Sequence, residues 1–250
     1  MCIRDSHPLN LEVIGAEAQH DNMQSAAYRV IWGFLRKCPA SKVRFCIFDP
    51  KEGGGSVRML SNFVNKMPDS YKRAVTQMSR TEELLSCLKE LEGQTLDFIR
   101  DRPDYDDLLD YNAHNPRRTE AITLLMLYDF PLNADARCLE LLSSVMQKGN
   151  RCGIYVVLCR NTAVEVASSY DHVDETLAEL EKNCVQIECK ENGFALLPYH
   201  LSVRLIEKPD AGQLEKFAVE YHKAVEKLSV QSIHFEEILP PEPVSYTHLR

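Results

Sequence analysis

The sequence has too few cations for a protein that binds nucleic acid on its own. Its 29 Lys and Arg residues are outnumbered by 37 Asp and Glu residues, and the formal net charge at pH 7 is -8 with histidine neutral. Binding to a phosphate backbone requires a concentration of lysine and arginine. The composition therefore argues against this chain wrapping nucleic acid by itself.

Long apolar runs and paired metal-ligand motifs are also missing. No stretch reaches the ~20 apolar residues that a membrane-spanning helix needs, and the first residues lack the apolar core of a signal peptide. The nine cysteines include no CxxC pair, and the eight histidines include no HxxxH or HxH pair. Cys46 and Cys159 lie inside apolar runs, which favours reduced, buried thiols in a cytoplasmic protein over metal coordination.

An uncharged stretch near the middle of the chain is the strongest structural signal present. Residues 122–128 (ITLLMLY) carry no charge and show no alternation, which predicts a strand covered on both faces, although a buried helix could look the same. Pro131 cannot continue a ladder, so the strand ends there. Asp129 then either lies at the crevice where open α/β sheets bind ligands or caps the next turn. The residues alone leave both interpretations open.

Two further apolar stretches flank a helical pattern near the start of the chain. Residues 11–14 and 43–48 are predicted strands, and residues 22–37 between them place apolar side chains at helical spacing. A strand, a helix and a strand over about forty residues form a βαβ unit. A parallel sheet with a right-handed crossover is therefore expected.

The rest of the chain alternates helical and apolar segments. A capping pattern from Ser79 to Glu82 predicts the start of a long helix, and the helical excursion around 79–112 is long enough to stand out from the core as an arm. In the final helix, the residues predicted to face inward are Leu214, Phe217, Tyr221, Val225 and Leu228. The other predicted elements are helices over 57–64, 105–111, 135–146, 171–182 and 210–228, a strand over 154–159, and a hairpin of 185–189 with 194–197.

Four segments occur in an order typical of one known family. They are a strand running into Gly15 before a helix, a second strand that ends in Asp49-Pro50-Lys51, the strand ending at Asp129, and the segment 149–159 (GNRCGIYVVLC). Together they resemble the motor domain of FtsK/SpoIIIE-type ATPases over roughly residues 7–239. The sharper resemblance is to the first, divergent module of tandem-module proteins, and it rests on Tyr111-Asn112, Asp129-Phe130-Pro131 and Arg151-Cys152-Gly153.

The resemblance implies a fold, an activity and partners. The implied fold is α/β, a RecA-like P-loop-NTPase sheet that is mostly parallel, with helices on both faces and the strand over 122–128 in the centre. The family activity is ATP hydrolysis with magnesium, in oligomeric assemblies that move DNA or protein. A membrane association would come from other parts of a longer parent protein.

The phosphate-binding loop departs from the family pattern. Against GxxxxGK[ST], the chain keeps Gly15, but His20 replaces the second glycine, Asp21 replaces the lysine and Asn22 replaces the hydroxyl residue. Two like charges about 4 Å apart at an effective dielectric of 20 repel by about 4 kcal/mol, and Glu17 adds to the repulsion. Tight binding of a nucleoside triphosphate is therefore predicted to be lost.

The acidic pair at the end of the 122–128 strand is also altered. Aligned on the phenylalanine of the family's Asp-Glu-Phe, Tyr128 stands for the magnesium-associated Asp and Asp129 for the catalytic Glu. Aligned on the Asp instead, Asp129 stays and Phe130 replaces the Glu. Either way the pair that supports metal-bound nucleotide and an activated water is broken.

Three other residues remain as possible site residues. Asp49 and Lys51 follow the second strand, and Lys51 with the glycines at 53–55 could contact an anion, although a plain turn is the favoured interpretation. Arg151 could act on a neighbouring subunit, but a solvated or interface arginine is favoured. No catalytic residue, metal or cofactor is expected.

Three functions remain open at this stage. The first is a catalytically degenerate module that shapes a larger FtsK/SpoIIIE-type ATPase, with the following ATPase module of the same chain as its partner. The second is an active NTPase that binds ATP and magnesium in an atypical site, and the third is a stand-alone α/β binding module. The expected divisions are a RecA-like domain over 7–232 and an exit linker over 233–243. Residues 1–6 and 244–250 resemble translated adapter sequence and are predicted to be non-native.

Overall fold

The protein forms one eight-stranded sheet with helices on both faces. A computed structural model describes residues 10–51, 55–72, 74–165 and 173–230; the predicted linker and both predicted non-native ends lie outside these ranges. The strand order is β3-β2-β4-β5-β1-β6-β7-β8. The first six strands in that order are parallel, and β7 and β8 are added antiparallel to β6 and to each other. The prediction of a mostly parallel α/β sheet is confirmed.

The bounds of the elements follow the chain in order. The strands are β1 (Asn10–Gly15), β2 (Val43–Phe48), β3 (Val75–Met78), β4 (Ile122–Phe130), β5 (Ile154–Asn161), β6 (Cys184–Lys190), β7 (Gly193–Leu196) and β8 (Leu201–Val203). The α-helices are α1 (His20–Lys37), α2 (Gly55–Asn65), α3 (Asp69–Lys72), α4 (Thr81–Asp101), α5 (Leu108–His114), α6 (Ala136–Lys148), α7 (Val173–Lys182) and α8 (Ala211–Val230). Two short 3-10 helices, Glu17–Gln19 and Gly149–Cys152, precede α1 and β5.

Strand β4 lies inside the parallel sheet and is covered on both sides. Met126 and Tyr128 pack into the cluster formed with α1, α2 and α8, whereas Leu125 and Leu127 pack into the cluster formed with α4, α6 and α7. Successive side chains of a strand point to opposite faces, so an uncharged run satisfies both clusters. This confirms that the stretch is a doubly covered strand and not a buried helix.

Helix α4 does not stand out as an arm. Leu84, Leu88 and Leu91 are buried against the sheet together with side chains of α6, so the prediction of a protruding hairpin is wrong. The capping prediction is shifted by one residue, because Glu83 and not Glu82 accepts from the backbone amides of Ser79 (3.0 Å) and Arg80 (3.3 Å).

Two helix predictions differ from the structure, one in where the helix starts and one in which residue faces inward. Helix α5 begins at Leu108 and not at residue 105, because the Asp107 carboxylate accepts a 2.8 Å hydrogen bond from the amide of Asp110 and caps the helix there. In α8, four of the five residues predicted to face inward pack into or against the α1 and α2 cluster. The fifth, Leu228, is 44% exposed, so that part of the prediction is wrong.

The cysteines of the described residues are all free. Cys138, Cys159, Cys184 and Cys189 are buried, but Cys46 is only partly buried, so burial was predicted correctly for Cys159 and incorrectly for Cys46. Within the described ranges, no helix combines the length and apolar character that crossing a membrane requires.

Candidate functional site

The carboxyl ends of four parallel strands meet at one edge of the sheet. Gly15 ends β1 and pairs with Asn161, which ends β5. Asp49 follows β2, and Asp129 lies near the end of β4. Because parallel strands present their carboxyl ends on the same side, these residues border one crevice, where open α/β sheets bind their ligands. The crevice interpretation of Asp129 is therefore favoured over that of a helix cap, a role that Asp135 fills for α6.

Asp129 is a buried carboxylate in an unusual backbone conformation. Its φ angle is +50°, and the pairing of β4 with β5 shifts register between Leu127 and Phe130. Its side chain is only 2% exposed. Left-handed backbone at a non-glycine residue is uncommon but tolerated by aspartate, and such conformations concentrate at functional sites. The irregularity turns the carboxylate out of the alternation of the strand and into the crevice.

Lys51 places its ammonium group against this carboxylate. Its Nζ lies 2.9 Å from Asp129 Oδ1 and 3.5 Å from Glu17 Oε2. The hydrogen bond to Asp129 raises the pKa of Lys51 above its usual value. The side chain that the sequence offered as an anion contact is thus engaged by two carboxylates of its own chain.

Asn161 joins the two carboxylates from the other side. Its Nδ2 donates to Glu17 Oε2 at 2.6 Å and approaches Asp129 Oδ1 at 3.4 Å, while its Oδ1 accepts from the amide of Ala163 at 3.0 Å. Asn161 has no exposed surface. The hydrogen bond from Asn161, with the nearby Lys51 second, lowers the pKa of Glu17. Sequence reasoning missed Asn161; its position at the end of a predicted buried strand was the one available signal.

His20 completes a group that we call the edge cluster: Glu17, His20, Lys51, Asp129 and Asn161. The Nδ1 atom of His20 lies 3.7 Å from Asp129 Oδ1 and has no hydrogen-bond partner although it is buried. Its position at the start of α1, where the resemblance places the second glycine of a phosphate loop, directs the imidazole to Asp129.

The loop between β1 and α1 forms hydrogen bonds within itself. One turn of 3-10 helix, Glu17–Gln19, separates Ala16 from α1. The side chain of Gln19 accepts from the amide of Ala16 at 3.1 Å, and the amide of Gln19 donates to the carbonyl of Ala16 at 2.9 Å. A side chain at Gly15 would meet Met23 at 3.1 Å, so this glycine serves close packing of α1 against β1. Two backbone amides of the loop are already used within it.

Four residues singled out from the sequence lie outside the edge cluster. Asp21 is exposed on the first turn of α1, where a negative charge favours the helix dipole. Asn22 donates through Nδ2 to the carbonyl of Lys190 at 2.8 Å. Tyr128 is 1% exposed and packs into the core on the α1 side of the sheet, and Phe130 is buried on the opposite side. Of the three residues aligned with the family's acidic pair (Tyr128, Asp129 and Phe130), Asp129 is the one whose side chain joins the edge cluster.

The remaining candidates have separate locations. Asp49 is 6% exposed, and its amide donates to the carbonyl of Met78 at 2.9 Å. Arg151 lies before β5, at the opposite edge of the sheet, and its Nε donates to the carbonyl of Asp106 at 3.2 Å. The glycines at 53 and 54 are outside the described residues. Nowhere in the described part of the chain do three or more His, Cys, Asp or Glu side chains lie where they could hold a metal together.

Comparison with solved structures shows the fold. EssC (ATPases 2 and 3) from Geobacillus thermodenitrificans is similar to 94% of this chain with a TM-score of 0.53 and 14% identity. EccC of Thermomonospora curvata (ATPases 2 and 3), in complex with a signal sequence peptide, is similar to 89% of the chain with a TM-score of 0.54 and 14% identity. The pCW3 conjugation coupling protein TcpA, in its monomer form with ATPgS, is similar to 88% with a TM-score of 0.51 and 11% identity.

These likenesses confirm, at the level of fold, the resemblance to FtsK/SpoIIIE-type ATPases that the sequence indicates. The fold is like that of ATPase modules such as those of EssC and of the Type VII secretion ATPase EccC. The chain spans about half the length of those structures. The covered share is 46% of the EssC structure, 43% of the EccC structure and 55% of the TcpA structure. No family model matches the sequence, and no curated protein sequence matches it.

Proposed function

We propose that this chain is a catalytically degenerate ATPase-like module of an FtsK/SpoIIIE-type translocase, and that it acts in assembly or regulation of an active module. One observation supports this most directly. Lys51 is paired with the buried Asp129 of β4 at 2.9 Å and with Glu17 at 3.5 Å, so a phosphate would have to compete with two carboxylates for its charge.

The charge at the crevice opposes a nucleoside triphosphate. Glu17 and Asp129 lie at this edge, and Asp21 stands in the first turn of the adjoining helix. Among the described residues that form the edge cluster, Lys51 is the one lysine. A triphosphate would add further negative charge, and at an effective dielectric of 20 each close like-charge pair costs about 4 kcal/mol at 4 Å. Conventional nucleotide binding is therefore disfavoured even though the fold is that of an ATPase.

The same edge is poorly equipped for hydrolysis. Phosphoryl transfer needs a positioned metal and a residue that orients the attacking water. Asp129 is the one acid that β4 presents to the crevice, and its Oδ1 atom is engaged by Lys51. Tyr128 and Phe130 on either side of it are buried in the two cores.

The first test is calorimetric titration of the protein with ATP and Mg²⁺, together with a phosphate-release assay. Neither tight binding nor hydrolysis is expected. Restoring the loop with His20→Gly, Asp21→Lys and Asn22→Thr should raise the affinity for ATP without restoring hydrolysis. The control is Glu220→Lys, which makes the same change in charge as Asp21→Lys on the exposed face of α8. A magnesium-dependent turnover by the wild-type protein that disappears in Asp129→Asn would sink the proposal.

One observation favours the alternative of an active NTPase with an atypical site. A buried aspartate with a positive φ angle lies beside His20 at the carboxyl edge of the sheet, and strained backbone of this kind concentrates at functional sites. The turnover assay separates the two functions. ATP and magnesium are the cofactors of the alternative and are not required by the degenerate module.

The proposed partner is an ATPase module that follows in the same chain. The similar structures of EssC and EccC each contain two modules, called ATPases 2 and 3, and this chain covers less than half of each structure. We propose that residues 233–243 link this module to the next, and that DNA or protein is moved by the assembled parent protein. The test is to recover the longer gene and to express its protein with and without residues 7–239. The proposal is supported if a GxxxxGK[ST] module follows and if its ATPase rate or assembly changes when residues 7–239 are removed. It is contradicted if no such module follows or if both the rate and the assembly stay unchanged.

A further inference from the structure

Lys51 supplies a cation at the point where two carboxylates of the edge cluster converge. We infer that this ammonium group is a built-in counter-ion: the buried Asp129 carboxylate needs its charge for the stability of the fold, and a primary amine of the same shape can replace it. The inference rests on the proposed function, because it gives Lys51 a structural role at an edge that we propose is catalytically degenerate.

The geometry sets Lys51 apart from an ordinary surface ion pair. The Asp129 side chain is 2% exposed, and burying an unpaired carboxylate is strongly unfavourable. Among the described residues, the groups that reach its Oδ1 atom are Lys51 at 2.9 Å, Asn161 Nδ2 at 3.4 Å and His20 Nδ1 at 3.7 Å. Asn161 is neutral and the His20 contact is longer than a hydrogen bond. The permanent positive charge in contact with Asp129 is therefore that of Lys51.

Three parts of the fold are joined through this one ammonium group. Lys51 follows β2, Asp129 lies near the end of β4, and Glu17 belongs to the turn between β1 and α1. Strand β5 separates β4 from β1 in the sheet, so no backbone ladder connects the two acids directly. Lys51 contacts both acids across this gap, as Asn161 at the end of β5 also does. Of the two acids, the buried Asp129 depends most on the charge of Lys51, since Glu17 is 64% exposed.

The ligand class that fits the position is a primary ammonium ion, which allows a direct test by chemical rescue. Lys51→Ala should lower the midpoint of thermal unfolding by about 5 °C at pH 7.5, because removal of one partner of a buried pair is destabilising. We expect a shift of this size, and not a larger one, because Lys51 is 41% exposed and solvent partly screens its charge. Addition of n-propylammonium chloride should recover part of the lost midpoint, whereas sodium chloride at equal ionic strength should not.

A matched control is available in the same protein. Lys72 is 46% exposed and lies 2.7 Å from Asp69 Oδ1, so it resembles Lys51 in exposure and in having a close acidic partner, but that partner is 93% exposed. Lys72→Ala should shift the midpoint by no more than about 1 °C and should show no specific response to n-propylammonium. A difference between the two variants points to the burial of Asp129 as the cause.

Two more variants keep the test decisive if Lys51→Ala does not fold. Lys51→Arg retains the cation and should unfold near the wild-type midpoint. Lys51→Ala combined with Asp129→Asn removes both charges, and this protein should be more stable than Lys51→Ala alone and unresponsive to the amine. The inference fails if Lys51→Ala unfolds at the wild-type temperature, if n-propylammonium acts equally on wild type and variant, or if the double variant is no more stable than the single one.

The experiment contains no nucleotide, so its outcome is separate from that of the ATP assays. Hydrolysis by the wild-type protein would overturn the proposed function and leave the unfolding midpoints as measured. Unchanged midpoints in the variants would overturn the role of Lys51 and leave the absence of hydrolysis as measured.

Discussion

At the scale of single residues, the ion pair of Lys51 predicts how stability depends on alkaline pH. The hydrogen bond to Asp129 raises the pKa of Lys51 in the folded protein above the ordinary value of 10.5. A group whose pKa is raised by folding stabilises the protein fully below its unfolded pKa, and this contribution is lost as pH rises through the folded pKa. The stabilisation should therefore be complete up to about pH 10 and should decline above about pH 10.5.

The measurement is urea unfolding of wild type and Lys51→Met at pH 8, 10 and 11. Other lysines, tyrosines and cysteines also titrate in this range, but they are shared by both proteins. The difference in free energy of unfolding between the two should be constant from pH 8 to 10 and should narrow at pH 11. A difference that stays constant to pH 11 would show that the ammonium charge is not what stabilises the folded state.

Gly153 gives a second prediction at this scale. Its φ angle is +75°, and an added Cβ would overlap Cδ2 of Leu108, which is 1% exposed. Gly153→Ala should lower the free energy of unfolding by about 1–3 kcal/mol, because the left-handed backbone and the overlap both oppose a side chain.

The matched control for that prediction is Gly93→Ala. Gly93 lies inside α4, and nothing approaches the position of its missing Cβ within 4 Å. Alanine is favoured over glycine in a helix by about 0.5–1 kcal/mol, so this variant should be more stable than wild type. Chemical denaturation of both variants checks the opposite signs, and equal effects would contradict the packing argument.

At the scale of single elements, the start of α6 depends on one carboxylate. Asp135 Oδ1 accepts a 2.8 Å hydrogen bond from the amide of Cys138, which satisfies one of the free donors at a helix start. Asp135→Ala should cost about 1 kcal/mol in the free energy of unfolding, whereas Asp135→Asn, which keeps an acceptor oxygen, should cost less. Denaturant unfolding of the two variants distinguishes capping from a general effect of losing a charge, since only the asparagine variant keeps the acceptor.

The sequence predicted best those elements whose pattern of apolar residues shows which of their faces are buried. Strand β4 was predicted because residues 122–128 are all uncharged, as burial on both faces of the sheet requires. Strand β8 has three residues, two of them exposed, so it offered no pattern to detect. Helix α4 was predicted as a helix, but its docking on the sheet depends on Leu84, Leu88 and Leu91 meeting side chains of α6, which a local pattern does not specify.

At the scale of the molecule, the sequence indicated which strand ends carry polar residues but not which of these residues meet. The structure brings Lys51 to Asp129, a contact that the sequence analysis did not specify. Asp21 was expected to face the phosphate position, but it is exposed on the first turn of α1, and His20 is the residue of that turn that lies beside Asp129. The contact of Asn161 with Glu17 joins residues 144 positions apart, and no short motif encodes it.

The domain boundaries give a prediction for the whole molecule. We expect residues 7–232 to be sufficient for folding, so a protein of residues 7–232 alone should unfold within about 2 °C of the full chain. The control is a protein that ends at residue 210 and lacks α8, whose Ala218, Tyr221 and Val225 belong to the core. It should lose cooperative unfolding or unfold well below the full chain in calorimetry. A large loss of stability on trimming the ends alone would contradict the proposed boundaries.

The position of β1 in the sheet has a consequence for synthesis on the ribosome. Although β1 is the first described strand, it lies between β5 and β6, where Leu11 pairs with Val157 on one side and Val185 on the other. The paired residues of its two neighbours are therefore translated 146 and 174 residues after Leu11. A strand without neighbours exposes unpaired amides and carbonyls that can pair with other chains, and contacts of such long sequence separation form slowly. During translation the nascent chain must hold this strand unpaired until most of the module has emerged, so the interval before β5 and β6 arrive is when chaperone protection matters most.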